Sequence, residues 1–508
     1  MQPESFSPDE QTILAPYVTN LDQPVFALQH LPEEVVAVLF AYYSRSRDSL
    51  RRNLLKLVCQ GDLDLLGQRP AMPKARADLT HARDKARQFH EKWVVGYGHA
   101  SVAEHAVVHL AIENVSIIAS KVVEDMRLAS FTEKSTRYVE FDATHYYPLP
   151  ELEGTPAGAL YHNTVHNLFR TYATLRPQVI ETIKTILPRQ PKQTERGYHT
   201  ACRAKALDLL RYLLPAGTLT NLGVTINGRA LEHLLTKMLS HPLQEVQRLA
   251  AMLKTEALHV MPTLLKYAQY NAYIAATDTA MRDTADTLLK HQTPQDTASV
   301  TLVHAPDDPE TQLVAAILYG YSQHAWSQIL NRAQAMSESQ KIQVIDDYLQ
   351  RRGPHDQPLR ALEHLTYTFE ILVDYGAYRD IHRHRMATQT RQRLSPQHGY
   401  SIPEELEAYG FGETFTTCME QAAMAYQQLS DTHPHLAPYL LPLAYRCRVL
   451  ITWNLRQIHH FVQLRSAKQG HTSYRRVAQE VYRRLANRHP LLARYIRVDL
   501  QDYALGRL

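Results

Sequence analysis

No uncharged apolar run in this 508-residue chain approaches the roughly 18 residues that a membrane-spanning helix needs. Cysteine is scarce: Cys59, Cys202, Cys418 and Cys447 form no C-x-x-C pair, so neither a disulfide framework nor a thiolate zinc site organises the fold. Neither sign of charge dominates, with 55 Lys+Arg against 51 Asp+Glu, and the overall field argues for neither nucleic acid nor a membrane surface as partner. The opening MQPESFSPDEQ lacks a basic-then-apolar pattern, and a soluble, cytoplasmic protein is the expectation. Histidine is plentiful at 27, yet no H-E-x-x-H or similar ligand spacing occurs, so no metal site is expected.

What is present is a globular composition, 44% hydrophobic, at a length that by itself suggests about three domains. An internal repeat overrides that estimate. Residues 24–30 read as a strand, followed by a helix that starts at Pro32 and runs through Tyr42. The same order returns at 300–304, Pro309-Glu310 and 313–319. Tyr212-Leu213-Leu214-Pro215 recurs as Tyr439-Leu440-Leu441-Pro442, and at that offset Asn227, Arg229 and His233 fall on Asn454, Arg456 and His460. Glu104-His105 recurs as Glu363-His364. Four landmarks in one order predict two homologous domains, 1–270 and 300–508, joined by a helical and then polar linker, 271–299. The rest is mostly helical. The run YRRVAQEVYRRLAN carries Arg475, Arg476, Arg483 and Arg484 without aromatic interleaving, and reads as a solvated helix face rather than a nucleic-acid surface.

Chemistry concentrates in four places. In 379–389, Arg383 and Arg385 flank His384, and guanidinium forks bind oxyanions bidentately and stack on flat rings. The alternative is a basic turn at a helix end, where Arg offsets the dipole. Upstream, Leu365, Phe369, Leu372 and Val373 recur at helical spacing and predict a helix between Glu363-His364 and this turn. The segment GHASVAEH places His99, Ser101 and Glu104 at a helix entry, where backbone N–H groups meet an anion, although a Ser101–Glu104 cap explains two of them. In 127–138, Glu133, Ser135 and Arg137 share one face if the chain is extended, a cradle for a sugar-phosphate. The fourth is the helix from Asn454 through Arg465, where a buried packing network is the alternative.

Taken together, these motifs resemble a tandem duplication of flavin-dependent thymidylate synthase. The first copy carries GHASVAEH and RLASFTEKSTRY, with Asp125 and Met126 replacing the first two residues of the family's R-H-R and Thr132 where the family has Asn. It has one extra residue after Glu104. The second copy keeps Arg383-His384-Arg385 but has Arg391, Arg393, Ser395 and Pro396 where the family has Glu, Ser, Arg and Tyr. On the late helix the second copy keeps Asn454, Arg456 and Arg465; the first keeps Asn227 and Arg229 and puts Met238 at the last position.

The resemblance implies a helix-rich α+β fold, each domain a small antiparallel sheet packed with long helices. It implies reductive methylation of dUMP to dTMP, with FAD as cofactor and NADPH and methylenetetrahydrofolate as co-substrates. The family is a homotetramer whose sites borrow residues from several chains, so a homodimer forming a pseudo-tetramer is expected. The split motifs then imply one composite site. Glu133, Ser135 and Arg137 from the first copy would meet Arg465 from the second around dUMP, with Arg465 and His99 catalytic. Arg383, His384, Arg385, Asn454, Arg456 and His460 would hold FAD, with Ser101 and Glu104 contributing. The reciprocal site would be dead. The altered motifs also fit a degenerate paralogue that binds flavin or nucleotide without making dTMP or modifies a different pyrimidine nucleotide, or a non-catalytic assembly subunit.

Overall fold

The structure, a computed structural model, describes residues 5–43, 48–59, 100–191 and 193–503, and His99 lies outside them. The fold is helix-rich α+β with two small antiparallel sheets. The first orders its strands β1 (Val107–Ser116), β3 (Leu219–Asn227) and β2 (Ala129–Glu133); the second orders β4 (Val300–His304), β5 (Thr366–Asp374), β7 (Arg446–Asn454) and β6 (Thr388–Arg391). By its contacts the chain gathers into two compact units. One comprises 1–113, 122–133 and 221–291, the other 114–121, 134–220 and 292–508, so residues 134–220 of the first repeat pack with the second. No helix among the described residues is long and apolar enough to cross a membrane.

The repeats fold alike. Strands β3 and β7 alternate in the same way, burying Thr220, Leu222, Val224 and Ile226 in one and Cys447, Val449, Ile451 and Trp453 in the other. Each ends on an Asn whose side-chain oxygen caps the next helix: Asn227 accepts from Ala230 N–H at 2.8 Å and Asn454 from Gln457 N–H at 2.8 Å. The helices that follow, Gly228–Leu239 and Leu455–Ser466, are both 12 residues long, and both are succeeded by a 17-residue helix, Gln244–Val260 and Thr472–Arg488.

Three sequence expectations fail on local grounds. Residues 24–30 form no strand; Leu28 makes one bridge to Val18, and pairing stops where His30 turns to positive φ. The span 365–373, read as helical, is β5. Its aromatic and β-branched residues Tyr367, Phe369, Ile371 and Val373 bury one face with period two, and that alternation wins over the fit of Leu365, Phe369, Leu372 and Val373 to a helix. Neither Glu104 nor Glu363 opens an α-helix. Each closes or lies in a five-residue 3-10 turn, Ala100–Glu104 or Arg360–His364, that runs toward a strand.

Within the second unit the two copies of the Tyr-Leu-Leu-Pro motif pair with each other. Ala216 N–H donates to Leu441 O at 2.8 Å and Leu443 N–H to Leu214 O at 2.9 Å; Gly217 N–H donates to Tyr439 O at 2.7 Å and Ala444 N–H to Tyr212 O at 3.2 Å. Each bond is the repeat-equivalent of its mate, so the motifs meet about a local pseudo-two-fold axis. A Cβ on Gly217 would lie 2.8 Å from Tyr161 Oη and 2.9 Å from Tyr439 O. Gly217→Ala should therefore destabilise this unit by about 1–3 kcal/mol through overpacking. Gly223→Ala, whose Cβ meets nothing closer than 3.9 Å, should cost less; urea denaturation of both variants checks the difference.

Candidate active site

The second unit brings polar groups of both repeats together. Beyond β2 the chain does not stay extended: Ser135 O accepts from Val139 N–H at 3.1 Å and Ser135 Oγ from Arg137 N–H at 3.2 Å. This turn takes Glu133, Ser135 and Arg137 off a common face, against expectation, because the serine hydroxyl offers the backbone a local partner. It sends the Arg137 guanidinium onto Asp208, near the end of the Glu195–Leu210 helix, with Nε–Oδ1 at 2.6 Å and Nη2–Oδ2 at 2.8 Å. Burial opposes both charges, but the bidentate pair holds Arg137 above and Asp208 below its ordinary value. The third Arg137 nitrogen, Nη1, donates to Tyr474 Oη at 3.3 Å.

Arg465, in the last turn of the Leu455–Ser466 helix, approaches the same tyrosine from the second repeat. Its guanidinium carbon lies 5.4 Å from the Tyr474 ring centroid, and that of Arg137 lies 6.0 Å from it. Arg465 Nε donates to His384 Nε2 at 2.9 Å, which makes that nitrogen the acceptor of a neutral imidazole. Burial, Arg465 and His460 hold His384 well below its ordinary value, and burial followed by Arg211 does the same to His471.

Asp380, one helical turn after Gly376 on the Tyr375–Ile381 helix, faces three guanidiniums. Arg211 Nη1 and Arg383 Nε lie 3.8 Å from its carboxylate and Arg465 Nη1 lies 3.9 Å away. Burial would push this carboxyl up, but Arg211, Arg383, Arg465 and Arg137 together hold it below its ordinary value. Arg211 is 2% exposed, and its Nε and Nη2 make no hydrogen bond within the protein. Donors buried in this way are a binding surface for an oxyanion. Beside the Arg137–Asp208 pair lies a cavity of about 640 Å³, lined in part by Tyr212, Asp374, His471 and Ser473.

Arg383 stands out on its turn with 48% of its side chain exposed, and Arg385 is half-buried beside it. At the far end of the Leu455–Ser466 helix, Arg456 donates to Glu363 at 2.7 Å and to Pro358 O at 2.7 Å. The first repeat makes the same pair in the other unit, where Arg229 Nη1 lies 2.5 Å from Glu104. The His460 and His384 rings are 5.6 Å apart. Asn454, expected at a flavin, spends its side-chain oxygen on the helix cap. Ser101, Glu104 and Glu133 belong to the first unit, and Ser101 is exposed there.

Sequence reasoning missed Asp208, Arg211, Asp380, His471 and Tyr474. A signal existed for two of them: at the repeat offset Asp208 falls on His435 and Arg211 on Pro438, the same one-sided loss that marks Met238 against Arg465.

The model of the thymidylate synthase complementing protein family matches the sequence twice, over residues 58–263 and 301–491. The chain belongs to this family. A UPF0159 protein of Chlamydia muridarum is 35% identical over 99% of this chain and 97% of its own length. A flavin-dependent thymidylate synthase of Saccharolobus solfataricus is 26% identical over 38% of this chain and 67% of its own. Among solved structures, flavin-dependent thymidylate synthase from Helicobacter pylori, complexed with FAD and dUMP, aligns with 40% of this chain and all of its own at 17% identity and a TM-score of 0.31. In this family member the arginine-rich site therefore joins family segments from both matches.

Breaking this half-buried pair by Asp208→Asn should cost about 1–3 kcal/mol of stability, read by chemical denaturation, because it strands a largely desolvated guanidinium. The depressed imidazoles give a second expectation. The unfolded chain takes up protons below about pH 6.5 while half-buried His384 and buried His471 do not, so stability is full above that pH and falls as pH drops through it. Urea midpoints between pH 7.5 and 5.5 should show this slope, and His384→Gln should reduce it.

Proposed function

We propose that the protein is a flavin-dependent thymidylate synthase that converts dUMP to dTMP, with methylenetetrahydrofolate as carbon donor and NADPH as reductant. The observation that carries the reading is the meeting of Arg137 from the first repeat and Arg465 from the second on one Tyr474 ring, next to the unpaired donors of Arg211. In the reciprocal set the corresponding positions are Ser395, Met238 and Pro438, which cannot make such a site. Met238 is instead fully buried in the core. Family membership and the match to a flavin-dependent thymidylate synthase supply the reaction class.

In this reading Arg211 and Arg383 take the nucleotide phosphate, and Arg137 is held ready beside them by Asp208. Arg465 orients and polarises the uracil, favouring negative charge on the ring. His384, neutral and bonded to Arg465 Nε, fixes the direction of that guanidinium. Cys202, Cys418 and Cys447 are buried, so none of these three stands as an exposed thiolate.

The residues present suit FAD. Arg456, His460 and Leu464 lie at i, i+4 and i+8 on one face of the Leu455–Ser466 helix, with Arg456 37% and Leu464 45% exposed, and the exposed Arg383 adds a further cation. Guanidiniums for a diphosphate and an apolar ledge for a planar ring are the donors such a cofactor needs. His384 and Asn454 support from behind. Bound FAD would carry hydride to the nucleotide. Two repeats in one chain, 1–270 and 300–508, then make a homodimer the expected equivalent of a four-domain assembly.

An anaerobic assay of FAD-loaded protein with NADPH, methylenetetrahydrofolate and dUMP tests the reading: flavin reoxidation should depend on dUMP, and dTMP should appear. Arg465→Ala should lower turnover by about 100-fold or more, the scale for losing one preorganised electrostatic donor. Met238→Leu, at the reciprocal position, should keep it. Equal losses in both variants, or flavin reduction without dTMP, overturn the composite synthase.

A further inference from the structure

We infer that Asp380 is a built-in rival of the ligand: a carboxylate that occupies the arginine cluster and weakens its grip on any oxyanion that enters. The inference rests on reading the cluster as an oxyanion site, but not on which nucleotide it takes. Its basis is a contrast between two carboxylates of the same unit. Asp208 is bound at 2.6 and 2.8 Å by one guanidinium and completes that ion pair. Asp380 stands 3.8, 3.8 and 3.9 Å from Arg211, Arg383 and Arg465, beyond hydrogen-bond length for all three. It neutralises the cluster without using its donors, and Arg211 Nε and Nη2 are left unspent.

The helix itself does not require the carboxylate. The first repeat builds the equivalent seven-residue helix, Ile117–Val123, directly after its strand β1, and places Val122 where the second has Asp380. The acid therefore occurs on the one repeat that keeps Arg383-His384-Arg385. Burial raises its carboxyl, but the three arginines that face it, with Arg137 at longer range, hold it below its ordinary value. An incoming phosphate that bonds to Arg211, Arg383 and Arg465 must come within a few ångströms of that negative charge, and like charges at such range in a partly buried site oppose binding strongly.

The test compares binding of inorganic phosphate and of dUMP, by calorimetry at fixed ionic strength, to the wild-type protein, D380N and D380E. Removing the charge without changing the shape should tighten phosphate binding by about tenfold or more, the scale of one charge contact at this distance. D380E, which keeps the charge, should bind phosphate no better than the wild type. If D380N binds phosphate equally or more weakly, Asp380 organises the arginines instead of competing for them, and the inference is overturned. If D380N gains phosphate affinity while dUMP binds to none of the proteins, the inference stands and the nucleotide reading falls. Should D380N be too unstable for calorimetry, its thermal midpoint should rise more with added phosphate than that of the wild type; no greater rise overturns the inference.

Discussion

The arrangement of the second unit depends on a short reciprocal pairing of backbone, residues 212–217 against 439–444. Leu443 is its pivot. Its N–H is bonded to Leu214 O at 2.9 Å, and its carbonyl accepts Gly376 N–H at 2.9 Å. Arg211 sits three residues before Leu214 and Asp380 four residues after Gly376, one helical turn along. Two hydrogen bonds through one residue thus set a buried arginine of the first repeat against a half-buried aspartate of the second. Proline at 215 and 442 leaves the pairing short, since neither can donate, and the chain is released at once into β3 and β7.

Around that pivot the charges are handled in two ways. Arg137 and Asp208 form a closed bidentate pair, which recovers much of the desolvation cost of burying both ions. Asp374, at the cap of the Tyr375–Ile381 helix, is pushed up by burial, against which the Arg211 charge, Ser473 and Ala377 N–H stabilise it. The Asp380 group remains open, with more guanidinium than carboxylate. Tyr474 attracts both Arg137 and Arg465, whose guanidinium carbons lie 6.0 and 5.4 Å from its ring centroid, and its hydroxyl accepts from Arg137 Nη1.

Much of this was legible in the residues. The repeat, the capping asparagines and the helix bearing Arg465 follow from spacing and cap chemistry, which act within a few positions. The misread span 365–373 shows the limit of periodicity, because Leu365, Phe369, Leu372 and Val373 satisfy a helical template while Tyr367 and Ile371 complete a strand. Asp208 and His471 lie outside the recognised motifs, and Tyr474 opens the run read as a solvated helix face; all three gain meaning only from tertiary contact, and the Arg137–Tyr474 bond spans 337 positions. Ser135 was misplaced because a side-chain hydrogen bond of two residues' reach decides between an extended chain and a turn. His99 lies outside the described residues.

The reciprocal pairing at Leu214 and Leu443 also bears on how the molecule behaves at low concentration. When two copies of a module meet as separate chains, their shared site is populated only as far as association allows, and it empties on dilution. Here both sides of that contact are covalently joined, so its closure is a unimolecular event governed by effective concentration within one polypeptide. The meeting of Arg137, Tyr474 and Arg465 is consequently insensitive to protein concentration. Each copy can then lose residues of the cluster, as Met238 and Pro438 show, while the joined chain still carries Arg465 and Arg211.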